Sequence, residues 1–234
     1  MKANGFIGWA MAGMLAVAGT ASAQSAQVRS VSGYSSIANS GSFAVHVKIN
    51  GTESLKIEGA DAATIGEIET VVTGGNLEIR WKRGWHGDHH VGKIDINVTA
   101  KSLTALTSSG SGSLDVDGVV QGKTVYVTLS GSGSISSAVG AGKLNVTISG
   151  SGTVTLKGKS AEADITISGS GKLSANGLVT DAAEAMISGS GNTYITVNKT
   201  ISGSIVGSGN VVYSGNATIN SVSTVGSGRV RKAN

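Results

Sequence analysis

The chain has 234 residues, no cysteine, no proline and a formal net charge of +4 at neutral pH. The lack of cysteine excludes disulfide bonds and thiol chemistry. The charge is mild and lacks a cluster of Lys and Arg with interleaved aromatic residues, so we expect no nucleic acid partner. Glycine supplies 36 residues, which points to turns and repeats.

The first 23 residues have the pattern of a cleaved secretory signal peptide. Lys2 supplies the positive start, residues 6–19 form a short apolar core, and residues 21–23 form a small-residue cleavage site. The core is shorter than the roughly 20 residues that a spanning helix needs. We therefore expect an exported protein, either periplasmic or secreted to the cell surface, with no membrane span after cleavage.

Residues 33–100 are predicted to form an N-terminal β section. Its alternating apolar positions are Phe43, Val45, Val47, Ile49, Leu55, Ile57, Leu77, Ile79, Ile94, Ile96 and Val98. Alternation of this kind indicates strands with one buried face, and glycine turns such as Gly74-Gly75 separate the runs. We expect this section to close one end of the fold, because an open end leaves strand edges unpaired.

Aromatic and basic residues concentrate at the end of one of these runs. The candidate ligand-binding residues are Trp81, Arg83 and Trp85. Two indole rings and a guanidinium on one loop are able to stack on a sugar or a peptide. The structural alternative is an exposed hairpin tip between the strands that contain Leu77 and Ile96.

The next residues in the same segment raise the possibility of a metal site. The candidate ligands are His86, Asp88, His89 and His90. Imidazole and carboxylate groups suit Zn, Ni and Cu. A structural zinc site, however, needs four ligands in a fixed tetrahedral arrangement, and adjacent histidines point apart on an extended chain. We therefore expect no cofactor, with metal binding kept as an alternative.

From residue 109 onward the chain repeats a Gly-Ser-Gly motif seven times. The first glycines of the copies are Gly110, Gly131, Gly150, Gly169, Gly189, Gly207 and Gly226. They are separated by 21, 19, 19, 20, 18 and 19 residues. A fixed period of this size indicates a repeat architecture.

Apolar residues recur at the same offset from each corner. Two residues before the first glycine stand Leu129, Ile148, Ile167, Ile187 and Ile205, with mostly polar residues between the apolar positions. Repeats with identical offsets stack as parallel ladders, so that each turn buries its inner face against its neighbours. The sequence therefore predicts an all-β fold, a single-stranded right-handed parallel β-helix of residues 101–232, with two or three short strands per turn.

One polar column contains two consecutive acids. Asp164 and Glu184 occupy the same outward offset and would lie about 5 Å apart on adjacent turns. Carboxylates at that distance are able to share a cation or raise one pKa, as in a carbohydrate-active enzyme. No long loops interrupt the repeats to form a cleft, so a solvated charged face is the simpler interpretation.

Together these motifs resemble a known family. Residues 31–37, the serial Val-x-Ile-Ser-Gly-Ser-Gly copies and residues 213–216 are similar to the bacterial envelope proteins described as the putative auto-transporter adhesin head (GIN) domain. The resemblance covers residues 33–232 as a single domain. It implies a β-helical fold, an exported location and no catalytic residues.

The leading functional hypothesis is a non-enzymatic envelope protein that binds a glycan or another surface ligand. Two alternatives remain. One is a carbohydrate-active enzyme that uses Asp164 and Glu184, and the other is a periplasmic metal-binding protein that uses residues 86–90.

Overall fold

A computed structural model describes residues 25–85 and 92–233, and it confirms the β-solenoid. Within these residues, sixteen strands and one short helix follow each other. They are β1 (Ser25–Arg29), β2 (Ser36–Ser40), β3 (Ala44–Ile49), β4 (Ser54–Ala60), α1 (Ala62–Gly66), β5 (Ile68–Thr73), β6 (Asn76–Trp81), β7 (Asp95–Ala100), β8 (Ala105–Gly110), β9 (Ser113–Gly131), β10 (Ser134–Gly150), β11 (Thr153–Gly169), β12 (Lys172–Gly189), β13 (Asn192–Gly207), β14 (Asn210–Ser214), β15 (Thr218–Gly226) and β16 (Arg229–Lys232). We call each turn of the solenoid a rung.

Successive rungs pair in parallel and in the predicted register. Ile148 lies beside Ile167, and both side chains are buried. The expected two or three short strands per turn are instead one long strand from corner to corner in β9 to β13. The ladder continues because the chain bends at glycines within the strand, such as Gly118 and Gly158, whose positive φ lets the backbone turn without a break in pairing.

The Gly-Ser-Gly corners stack directly on one another. Gly150 pairs with Gly169, and a Cβ placed on Gly169 would lie 2.7 Å from the Gly150 carbonyl oxygen. The φ of Gly169 is +108°, in the region that favours glycine. The Ser170 amide donates to the Gly150 carbonyl at 2.9 Å, which ties each corner to the one before it.

The first rung in the chain is not the first rung in space. β3 lies between β7 and β9, and β2 lies between β6 and β8. Gly41, between β2 and β3, sits beneath Gly110 and makes an additional corner. The motif is hidden in the sequence because Phe43 stands where the other corners have their second glycine.

Antiparallel strands and the helix cover the N-terminal end. β4 pairs antiparallel with β7 and β1, and β5 pairs antiparallel with β6. Asp61 begins α1 by accepting a hydrogen bond from the Thr64 amide at 2.9 Å. Arg29 of β1 donates to the carbonyl oxygens of Ile65 and Ile68, joining the helix to β5. The expectation that this section closes one end of the solenoid is confirmed.

The C-terminal end is built differently. Among the described strands, β15 pairs with β13 alone, and all nine of its residues are exposed. Ile219 aligns with the buried Ile201 of the previous rung, yet it is 49% exposed. The last rung therefore presents core-type side chains to solvent within the part of the chain that the structure describes.

Candidate functional site

Trp81 is the last residue of β6, and Arg83 and Trp85 follow it in the connection towards β7. Trp81 and Trp85 stack face to face, with ring centroids 3.9 Å apart and an interplanar angle of 8°. Trp81 also packs against Phe43, with centroids 4.9 Å apart. Trp81 thus belongs partly to the packing of the corner column, Trp85 is half-buried, and Arg83 is exposed.

This connection is not a hairpin tip. β6 pairs with β2 and β5, whereas β7 pairs with β3 and β4, so the two strands lie on different sides of the solenoid. The hairpin alternative is therefore wrong. β6 and β7 pair with β2 and β3, the strands on either side of Gly41, and the period-two alternation of β6 and β7 could not distinguish this arrangement from a hairpin.

The candidate metal ligands lie outside the described residues. They are His86, Asp88, His89 and His90. Metal binding at this segment stays a prediction. Elsewhere, in residues 25–85 and 92–233, no group of three or more His, Cys, Asp or Glu side chains is placed to hold a metal ion.

The acidic column has the predicted register but also a cationic neighbour. Asp164 pairs directly with Glu184 across β11 and β12. Lys143, on the rung before Asp164, lies 2.6 Å from its carboxylate. This hydrogen bond and the charge of Asp164 raise the pKa of Lys143 above its usual value. Lys143 compensates part of the negative charge, and sequence reasoning missed it because it lies two positions away from the acidic column.

A shallow groove crosses the rungs of β7, β3 and β9. Its volume is about 580 Å³, and its polar lining includes His46, Lys48, Asn97, Asp115 and Asp117. At its edge Asp95 accepts from Lys93 at 2.7 Å and contacts His46 at 3.2 Å. The hydrogen bond from Lys93 is the main reason that the pKa of Asp95 is lowered.

The side of the solenoid that precedes the corners carries a regular array of hydroxyl groups. One outward column lies one residue before the first corner glycine and contains Ser109, Ser130, Ser149, Ser168, Ser188, Val206 and Val225. A second lies three residues before it and contains Thr107, Thr128, Thr147, Thr166, Met186, Ser204 and Ser223. The third contains the corner serines Ser111, Ser132, Ser151, Ser170, Ser190, Ser208 and Ser227. We call these three columns the hydroxyl face.

The hydroxyl face is uncharged and turned to solvent. Hydroxyl groups occupy five positions of the first column, six of the second and all seven of the third. The remaining three positions are apolar. All seven corner serines are exposed. Within the described residues, none of these hydroxyl groups takes part in a side-chain hydrogen bond to another protein group. Five of the corner serines, from Ser132 to Ser208, instead donate their backbone amides to a glycine carbonyl of the preceding rung, which leaves their hydroxyls available.

The side that follows the corners has a different surface. Its outward columns are interrupted by Asp115, Lys172, Arg229 and Arg231, and Lys172 lies over the ring of Tyr194 at 5.2 Å. The contrast was present in the sequence as two sets of offsets around one motif. The alternation predicts that both sets point outward, and the pairing of the rungs shows which residues of each set are neighbours.

Residues 33–217 match a family model described as putative auto-transporter adhesin, head GIN domain. Among curated proteins, none matches the chain significantly. Within the described residues, no helix has both the length and the apolar character required to cross a membrane.

Several solved structures share the fold. A putative adhesin from Bacteroides fragilis has a TM-score of 0.80 at 22% identity, over 90% of this chain and 97% of that one. A putative lipid binding protein from Parabacteroides distasonis has a TM-score of 0.71 at 22% identity, with the same coverage. A putative adhesin from Parabacteroides merdae has a TM-score of 0.68 at 20% identity, over 90% and 96% of the two chains.

Proposed function

Since the chain belongs to the family of putative auto-transporter adhesin head GIN domains, we propose that it is an exported, non-enzymatic protein of the cell envelope that binds an extended surface through its hydroxyl face. The signal peptide pattern of residues 1–23 supports export. Fractionation of the native cells with an antibody tests this part. Recovery of the protein in the cytosol with residues 1–23 still attached would contradict it.

The observation that carries the proposal is the regularity of the hydroxyl face over seven rungs. Small uncharged groups repeat at a fixed spacing, and the corner hydrogen bonds hold successive rungs in register. A single hydroxyl contributes little to binding, because its hydrogen bond to a ligand replaces one to water. A rigid array adds many such contacts without loss of conformational freedom, which suits a large repetitive surface.

The acidic pair supports a structural role more than an enzymatic one. Asp164 and Glu184 lie on an open strand side with Lys143 bonded to the first of them. A glycoside hydrolase places its two carboxyl groups on either side of the scissile bond. Here Lys143 forms an ion pair with the first acid, and both acids lie along one strand surface.

We infer a second contact at the aromatic connection, in which Arg83 and Trp85 touch the ligand and Trp81 supports Trp85 from behind. Arg83 is exposed, and the stacked pair fixes the orientation of the outer ring. Trp85→Ala is expected to weaken binding to insoluble glycans without loss of folding. Unchanged retention on every glycan that the wild type binds would remove this contact from the proposal.

The main experiment measures retention of the exported protein on insoluble surfaces: cell-wall sacculi, cellulose, chitin and whole cells. Thr147→Tyr places a bulky ring in the middle of the hydroxyl face. Thr155→Tyr, five residues beyond the same corner glycine, makes the same change on the opposite side and serves as the matched control. We expect retention to fall at least fivefold for the first variant alone. Equal retention of both variants on a surface that binds the wild type would contradict the proposal.

A further inference from the structure

The dimensions of the hydroxyl face point to a specific class of ligand. Adjacent rungs lie about 4.8 Å apart, and outward residues two positions apart along a strand lie about 6.7 Å apart. Thr128 with Ser130, Thr147 with Ser149, and Thr166 with Ser168 repeat this pair on three successive rungs. The result is a two-dimensional array of hydroxyl groups in register from rung to rung.

The chemistry of this lattice disfavours ordinary solutes. Small-molecule sites are concave and enclose most of the ligand, whereas these columns run along a strand surface. Sugar recognition gains from aromatic rings and charged hydrogen-bonding groups, and the three columns contain neither. The charged groups stand outside: Asp164 and Glu184 lie in the next column.

The side chains that remain have two properties in common. Serine and threonine hydroxyls both donate and accept hydrogen bonds, as water does. Threonine is restricted at χ1, so its hydroxyl and methyl groups hold fixed positions. Met186, Val206 and Val225 extend the apolar component and are 47%, 54% and 66% exposed. Such a surface holds water at regular positions without the strong fields that charges impose.

We propose that the hydroxyl face binds the surface of ice. The rung repeat of about 4.8 Å is close to one repeat of the oxygen atoms on a prism plane of hexagonal ice, so water ordered along the columns is able to continue into the crystal. This proposal rests on the proposed function, because it names the surface that the same face contacts. Each contact is weak, and the fixed lattice makes many of them form together.

The test is partition into a slowly growing ice hemisphere, combined with thermal hysteresis and crystal shape in the same samples. The variants are Thr147→Tyr and the control Thr155→Tyr, each checked by circular dichroism and melting. We expect the wild type and the control to enter the ice equally and to shape crystals. Thr147→Tyr should enter at least fivefold less. If Thr147→Tyr does not fold, Thr166→Tyr on the next rung replaces it.

Two results would overturn the inference. One is exclusion of the wild type from ice to the same extent as serum albumin. The other is equal entry of both folded variants. The retention experiment separates this failure from that of the proposed function. A protein excluded from ice that still binds a polysaccharide in a Thr147-dependent manner keeps the surface-binding function and loses only the ice ligand.

Discussion

At the N-terminal end of the solenoid, antiparallel strands, a capped helix and the Arg29 hydrogen bonds cover the outermost rung. At the C-terminal end, β15 leaves the core column open, and the side chains of Ile219 and Val222 are 49% and 44% exposed. Both ends face the same physical problem, since a repeat buries its inner face only against a neighbour. The difference shows that the covered N-terminal end consists of residues whose sequence departs from the repeat.

The largest expected difference in stability is between two substitutions at the same core position, one on each of the last two rungs. Ile201→Ala removes a fully buried side chain and is expected to cost about 2–5 kcal/mol of unfolding free energy. Ile219→Ala, one rung further, is expected to cost less than about 1 kcal/mol, because its side chain is half exposed. Urea unfolding of both variants measures the difference. Equal losses would show that another group covers Ile219 in solution.

The corner glycines give the next contrast. Gly189 and Gly226 have φ values of +121° and +118°, and a Cβ on either one would clash with the corner carbonyl of the rung before it. Gly189 has rungs on both sides, so Gly189→Ala is expected to cost about 1–3 kcal/mol through backbone strain and crowding. Gly226→Ala is expected to cost about half as much, because the last rung is able to shift outward. Melting curves of the two variants decide this, and a larger loss for Gly226→Ala would contradict an open end.

Substitution of one arginine at each end compares the two ends directly. Arg29→Ala leaves the carbonyl oxygens of Ile65 and Ile68 without their side-chain donor and is expected to cost about 1–2 kcal/mol. Arg229→Ala, on the exposed β16, is expected to change stability by less than about 0.5 kcal/mol. Denaturant midpoints measure both, and a loss at Arg229 equal to that at Arg29 would imply an unseen partner at the open end.

Acid should loosen only the capped end. The hydrogen bond from Lys101 is the main reason that the pKa of the Glu53 carboxyl is lower than usual. Glu53 also accepts hydrogen bonds from the backbone amides of Gly33 and Tyr34. A lowered folded-state pKa gives stability that is present above the unfolded pKa of about 4.3 and lost as pH falls through the folded value. No acidic residue follows Glu184 in the sequence.

Hydrogen exchange at pH 7 and below pH 4 measures this smallest effect. We expect faster opening of residues 33–34 in acid, after correction for the intrinsic exchange rate, and no corresponding change in β13 to β15. Glu53→Gln should remove part of the pH dependence. An equal acid-induced increase in hydrogen exchange at both ends would contradict the expected difference between them.

The repeated part of the fold was predictable in detail from the sequence. The period of the motif predicted the length of each rung, and the alternation around Ile148 and Ile167 predicted which side chains are buried. The order of the N-terminal strands in the sheet was not predictable, because strand alternation carries no information about which strands become neighbours. Phe43 also concealed the additional corner at Gly41. The hydroxyl face could not be recognised from the sequence, because serine and threonine are common both in turns and at exposed strand positions.

The position of β3 has a consequence for how the chain folds. β3 is among the first strands made, but both of its neighbours, β7 and β9, come about 50 to 70 residues later. The repeats instead pair with partners about one period away, so they close short loops. Contacts between distant residues form slowly because loop closure costs more entropy. We therefore expect the repeats to pair first and the N-terminal strands to be incorporated later, which leaves the leading part of the chain extended during synthesis.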